Sequence, residues 1–142
     1  MAIVQAVCNS FKQQILEGVH NFATGGNVFK LSLYTSAANL SASTTVYTST
    51  NEVANTGQYT AGGGALTGQQ TSLDTGVAIV DFADLSFTGV TLTAAGALIY
   101  NTSAANKAVC ALSFGGDKTA TSGTFTIVFP AFTSANAILR IS

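Results

Sequence analysis

The chain has 142 residues, of which 47% are hydrophobic and only 8% are charged, and its formal net charge is −1. A typical soluble domain carries about 25% charged residues. The surface predicted here is therefore made mainly of Ser, Thr, Ala, Asn and Gly, which suits packing against a protein partner because little charge must be desolvated. The alternative is an ordinary soluble domain with a neutral polar surface. The five basic residues are dispersed, which argues against nucleic-acid binding.

The first predicted element is a short helix that begins near residue 10. Ser10 and Gln13 have the spacing of a capping box, which predicts Ser10 as the N-cap. A stripe of apolar side chains follows at helical spacing, formed by Phe11, Ile15, Leu16 and Val19. The helix is too short to be stable alone, so this stripe must pack on a sheet or on a neighbour.

The segment before the helix, residues 2–7, is apolar and includes Ile3 and Val4. It lacks the basic region of a signal peptide, and no apolar run in the chain approaches the ~18 residues of a membrane span. We expect this arm to contact a partner, with Ile3 and Val4 as candidate contact residues. The alternative is that the arm adds an edge strand to the chain's own sheet.

Strand-like alternation with a period of two residues begins after a glycine-containing break at residues 24–26. Phe29, Leu31 and Leu33 share one face of the first strand, and Lys30, Ser32 and Tyr34 share the other. Strands are also predicted over residues 65–73, 77–82, 95–101, 107–114, 123–129 and 135–141, and the composition favours a short strand over 44–50. Residues 102–106 connect a hairpin, and the glycines at 115–116 predict another turn.

Short strands separated by glycine-rich turns are typical of an all-β sandwich or barrel. We predict a single domain of residues 1–142, with an arm and helix over 1–26 and an antiparallel β-sandwich over 27–142. A jelly-roll-like topology is preferred, and an immunoglobulin-like sandwich is the alternative.

Residues 35–63 form a long segment without sustained periodicity, in which Glu52 is the only charged residue. Irregular segments longer than ~12–15 residues are usually functional or disordered, and disordered ones usually carry more charge. We therefore predict an ordered loop that contacts a partner. Tyrosine is enriched at interfaces, which makes Tyr47 and Tyr59 the candidate anchors. The alternative is that both rings close one end of the sandwich and serve stability alone.

Catalytic and metal-binding patterns are missing from the sequence. His20 is the only histidine, which leaves no basis for a Ser-His-Asp set, and it is expected to serve the end of the helix. Asp81 and Asp84 supply too few oxygen ligands for calcium and are expected to form turns. We predict a protein that is not an enzyme and has no cofactor or metal, with Cys8 and Cys110 as buried free thiols.

Several stretches resemble small virion proteins of tailed bacteriophages. They are residues 28–38 (VFKLSLYTSAA), 47–53 and 57–63, followed by 78–87 and 96–101 (GALIYN). Among such proteins are jelly-roll capsid cement proteins, which sit as dimers on the outside of the shell. The resemblance implies a cement or decoration protein that clamps neighbouring major capsid subunits, made in the host cytoplasm and located on the capsid exterior.

The resemblance also implies a homo-oligomer, with a dimer favoured over a trimer. From the dispersed basic residues and the short apolar runs we expect neither nucleic acid nor membrane as a partner. A tail or fibre component involved in host attachment is the alternative function. A small carbohydrate-binding sandwich is a third, which the absence of tryptophan weakens.

Overall fold

The computed structural model describes residues 2–142, with 48% of residues in strands and 8% in helices. Two antiparallel sheets, of five and three strands, confirm the predicted all-β sandwich. The jelly-roll topology stays a prediction. In chain order the elements are β1 (Ala6–Val7), α1 (Asn9–Leu16), β2 (Phe29–Tyr34), β3 (Gly64–Ala65), β4 (Gln70–Asp74), β5 (Val77–Asp81), β6 (Leu85–Asn101), a 3-10 turn (Thr102–Ala104), β7 (Lys107–Ile127) and β8 (Leu139–Ile141).

The larger sheet has the order β1-β7-β6-β2-β3, and the smaller one has the order β4-β5-β8. The long pair β6–β7 confirms the predicted hairpin, with Asn101 opposite Lys107 next to the connection. The turn predicted at Gly115 and Gly116 is wrong. Both glycines lie inside β7 at a shift of register, with φ of 76° and 149°, where side chains with a Cβ are strained. The glycines therefore bend the strand instead of ending it.

Other predicted strands also differ from the structure. The strands predicted over 107–114 and 123–129 are parts of the single strand β7, and the strand predicted over 95–101 is the last part of β6. The strand predicted over 65–73 is divided into β3 and β4, and the last strand is confined to Leu139–Ile141. The strand predicted over 44–50 is reduced to a single bridge between Val46 and Lys107. Local composition therefore located strand-forming segments but did not give their lengths, which depend on which neighbour each strand meets.

Strand β2 is the centre of the core. Phe29, Leu31 and Leu33 are completely buried, as the alternation predicts. The alternation predicts a strand buried on one face only, but Ser32 and Tyr34 on the opposite face are also completely buried. Residues of the 35–63 loop cover that face, since the Tyr34 hydroxyl donates to the backbone oxygen of Thr48 at 2.7 Å.

The helix begins one residue before the predicted cap. Cys8 occupies the N-cap position without a side-chain hydrogen bond, and Ser10 lies inside the helix with a buried hydroxyl that has no partner. The capping-box prediction is therefore wrong. Phe11 and Ile15 pack on the core, whereas Leu16 is 88% exposed and takes no part in the predicted apolar stripe. Among residues 2–142, no helix has the length and hydropathy that crossing a bilayer requires.

His20 lies beyond the end of the helix, in an aromatic cluster with Phe11, Phe22 and Phe29. Its Nε2 is 2.8 Å from Oε1 of Gln14, and its Nδ1 is 3.0 Å from Nδ2 of Asn101. An amide oxygen only accepts and an amide nitrogen only donates, so the ring is neutral with its proton on Nε2. Burial lowers the pKa of His20, and the positive charge of Lys107 adds to this effect.

The lowered pKa makes stability sensitive to acid. The unfolded chain binds a proton at His20 near pH 6.5, while the folded chain resists it. The buried neutral form of His20 therefore contributes fully to the free energy of unfolding above about pH 6.5, and this contribution is lost as the pH falls below that value. Urea denaturation at pH 7.5 and pH 5 should show a larger acid loss for the wild type than for a His20→Gln variant. Equal acid losses for the two proteins would contradict this account.

Candidate partner-binding surface

The 35–63 loop is ordered by backbone hydrogen bonds to β2, to β6 and to the connection between β6 and β7. Val53 N donates to Leu33 O at 2.9 Å, Gln58 N donates to Thr88 O at 3.0 Å, and Tyr47 N donates to Asn106 O at 3.0 Å. Two isolated bridges, Ile3 to Leu40 and Val46 to Lys107, add to these contacts. The prediction of an ordered loop is confirmed.

Glu52 is the centre of the contacts inside the loop. Its carboxylate accepts from the Tyr47 hydroxyl at 2.5 Å, the Tyr59 hydroxyl at 2.7 Å and the Gly62 amide at 2.6 Å. The Tyr59 hydroxyl in turn accepts from the backbone amide of Leu33 in β2 at 2.8 Å. One carboxylate therefore links residues 47, 59 and 62 of the loop, and Tyr59 joins the set to the central strand.

The other two tyrosines complete this cluster. Tyr100 donates to the backbone oxygen of Gly62 at 2.5 Å, and its ring stacks on that of Tyr47 with the centroids 4.8 Å apart. Tyr34 donates to the loop and accepts from Ser32 at 3.0 Å. We call Glu52 with Tyr34, Tyr47, Tyr59 and Tyr100 the tyrosine cluster.

Burial keeps the hydroxyls of the tyrosine cluster protonated. It raises the pKa of Tyr34 and Tyr100 to about 12, and the negative charge of Glu52 acts in the same direction. Burial and the hydrogen bond to Glu52 also raise the pKa of Tyr47, and burial is again the main cause of the raised pKa of Tyr59. All four hydroxyls therefore act as donors at neutral pH, which suits a structural cluster.

This arrangement corrects the prediction for Tyr59. Its side chain is 0% exposed, so it has no surface to present to a partner. Tyr47 is half-buried and its hydroxyl is occupied by Glu52, and its contact with a partner stays a prediction. A signal for the buried role was present in the sequence, because a lone carboxylate between two tyrosines in an uncharged segment is a natural acceptor for their hydroxyls.

The N-terminal arm forms an edge of the larger sheet. Ala6 pairs with Ala111 of β7, and Ile3 lies beside Leu40 of the loop, where Val4 N donates to Leu40 O at 2.8 Å. Part of the arm therefore forms an edge strand of the chain's own sheet, which was the alternative to contact with a partner. Ile3 is half-buried against the core, whereas Val4 is 55% exposed. Val4 is the most accessible of the four predicted contact residues.

The residues considered as catalytic or metal-binding candidates lie apart from one another and are engaged in internal contacts. Asp84 accepts from the Phe129 amide at 2.9 Å, and His20 is enclosed by the aromatic cluster. Cys8 and Cys110 are free and buried, and burial raises their pKa values to about 11 and about 12. Within residues 2–142, no three His, Cys, Asp or Glu side chains are grouped as metal ligands would be.

The structure shows a surface feature that the sequence did not predict. A groove of about 690 Å³ lies between β7 and the segment that leads into β8. Exposed apolar side chains occur nearby, since Val128 in the groove is 72% exposed and Ile141 of β8 is 59% exposed. Ile141 is also aligned with the exposed Leu73 across Ala78 of β5. The groove combines residues from several distant segments, so no local pattern marked it.

No family model, curated protein or solved structure matches this chain. The resemblance to phage virion proteins therefore stays a prediction.

The tyrosine cluster predicts a specific cost for removing one hydroxyl. A Tyr59→Phe variant leaves the buried Leu33 amide without its acceptor, and such a group costs about 1–3 kcal/mol. We expect that loss in the free energy of unfolding, measured by urea denaturation. Thr60→Ala, at the exposed neighbouring position, is the control and should change stability by less than about 0.5 kcal/mol. A Tyr59→Phe protein as stable as this control would refute the structural role.

Proposed function

We propose that this protein is a structural virion subunit that binds the outer surface of a tailed-phage capsid and clamps neighbouring major capsid subunits. The observation that carries the proposal is a surface with very little charge that exposes several large apolar side chains. Only 8% of residues are charged, while Val4, Leu73, Val128 and Ile141 are each more than half exposed. Such a surface is inexpensive to desolvate against another protein.

The interior supports the same proposal. The imidazole of His20, the carboxylate of Glu52 and the hydroxyls of Tyr47 and Tyr59 are engaged in internal hydrogen bonds. The four tyrosines are also unsuited to a carbohydrate platform, since Tyr34, Tyr59 and Tyr100 are buried. Because these polar groups are used inside the molecule, we propose that the protein acts by binding another protein through its surface.

A clamp on a capsid shell acts through mass action. A protein that binds only the assembled shell stabilises that state according to its concentration and affinity. Repetition around a symmetric shell adds multivalency if the clamp is itself a dimer, so modest affinity at each site is sufficient. We propose a homo-oligomer, with a dimer favoured, in which neither nucleic acid nor membrane is the partner.

Labelling intact virions with an antibody against this chain tests the proposed location. We expect the label to cover the head. Label restricted to the tail would favour a tail or fibre component instead, and virions without label would reject a virion role. Antibody absorbed with the purified protein is the control.

Adding purified protein back to shells that lack it tests the contribution of Val4. A Val4→Asp variant should bind about tenfold more weakly, because burying a carboxylate at an interface is costly. Leu16→Asp, at an exposed position on α1, is the matched control and should bind normally. Melting temperatures should be unchanged in both variants. Equal occupancy for both variants would remove Val4 from the interface.

A further inference from the structure

The groove is bordered by strands of both sheets. Leu112, Ser113 and Phe114 of β7 lie on one side, and the residues around Leu139 and Arg140 of β8 lie on the other. Its volume of about 690 Å³ falls within the range of roughly 300–1,000 Å³ that is usual for binding clefts. The space is therefore large enough to receive part of another molecule.

Both borders are edges of sheets. Strand β8 is the last strand of the three-stranded sheet. On the outer side of β7, the two-residue β1 pairs only at Cys110 and Ala111, so within residues 2–142 no strand continues along β7 from there to Ile127. Alternate residues of an antiparallel strand direct their N–H and C=O groups away from their partner. The amide of Ser113 already donates to the Gln5 side chain at 3.1 Å. An added strand would therefore pair with the edge of β8 and with the other outward-directed backbone groups of β7.

The lining is mainly apolar and otherwise neutral, apart from one charge. Its apolar side chains include Leu112, Phe114, Ile127, Val128, Phe129 and Leu139. Among residues 2–142, serine and amide side chains complete the lining, and Arg140 is its only charged side chain. An extended segment binds such a groove by placing alternate side chains into it while its backbone pairs with the edge.

Arg140 indicates the chemistry of the occupant. Its guanidinium donates to the backbone oxygens of Ser134 and Ala135, at 3.3 Å and 2.8 Å, which are neutral partners. Arginine binds carboxylates and phosphates through paired hydrogen bonds, and in an unmodified polypeptide segment the carboxylate of Asp or Glu is the matching side-chain group. Pairing β8 with β8 of a second copy about Arg140 would instead oppose two positive charges, which is destabilising. The charge therefore favours an acidic foreign segment over a second copy.

We infer that the groove between β7 and β8 binds an extended, mainly apolar segment of a neighbouring protein by strand addition, with an Asp or Glu side chain of that segment on Arg140. The inference rests on the proposed function, because it specifies how an adjacent subunit is held. It assigns the sheet edge beside the groove and the side chain of Arg140 to that contact.

A labelled synthetic peptide of alternating valine and threonine, with one central glutamate, is the probe. Fluorescence anisotropy should show saturable binding to the full chain, and N-methylation of the peptide backbone should abolish it. Replacing the glutamate by glutamine should weaken binding about fivefold, the scale of an exposed ion pair. The Arg140→Gln protein should bind both peptides alike. Equal affinity of the wild type for both peptides, or no saturable binding, would overturn the inference.

Two variants place the binding in the groove. Val128→Lys puts a charge on a groove residue that is 72% exposed, so we expect the protein to fold and the peptide to be lost. Leu16→Lys changes an 88% exposed residue outside the groove and should bind normally. Melting temperatures confirm that each variant is folded. Equal peptide binding by both variants would overturn the inference. It would also be overturned if the wild type formed a dimer, did not bind the peptide, and became monomeric on the Val128→Lys substitution.

The peptide measurement is separate from the test of the proposed function. A wild-type protein that covers phage heads but does not bind the peptide would overturn the groove inference alone. Peptide binding with the expected dependence on Arg140, combined with unlabelled virions, would support the groove and reject the capsid as its location.

Discussion

The carboxylate of Glu52 accepts hydrogen bonds from Tyr47, Tyr59 and the amide of Gly62, and this set of bonds fastens the 35–63 loop to the larger sheet. Without a fixed loop, the second face of β2 would lose its cover, because Ser32 and Tyr34 are buried beneath it. Buried hydroxyls and amides are costly when they lack partners, so the cluster is stable only as a complete set. The loop is therefore part of the core and not an addition to its surface.

The surface follows from this internal use of polar groups. The tyrosine hydroxyls, the lone loop carboxylate and the only histidine are all directed inward or engaged with the backbone. Most outward-facing side chains are neutral and a few are charged or apolar, and two strand edges lie beside the groove. This sparsely charged surface is the basis of the proposed structural role.

Sequence reasoning located the features that depend on local pattern. The alternation of Phe29, Leu31 and Leu33 gave the central strand, and the 102–106 connection gave the hairpin. It failed where distant segments decide the outcome. Gly115 and Gly116 suit a turn as well as they suit a bulge, and only the pairing with β6 distinguishes the two. Tyr59 suits an interface as well as a core until Glu52 and Leu33 are placed beside it. The groove was not predictable because its two borders meet only in the folded chain.

Hydrogen exchange on a Glu52→Ala variant tests most directly whether this carboxylate fastens the loop. We expect faster exchange of the amides of Leu33, Val53 and Gly62, with protection retained in the β6–β7 pair, because the loop should detach while the hairpin persists. The control is Glu17→Ala, which removes an exposed carboxylate near the helix end and should leave the loop amides unchanged. Loop amides as well protected in Glu52→Ala as in the control would contradict the account.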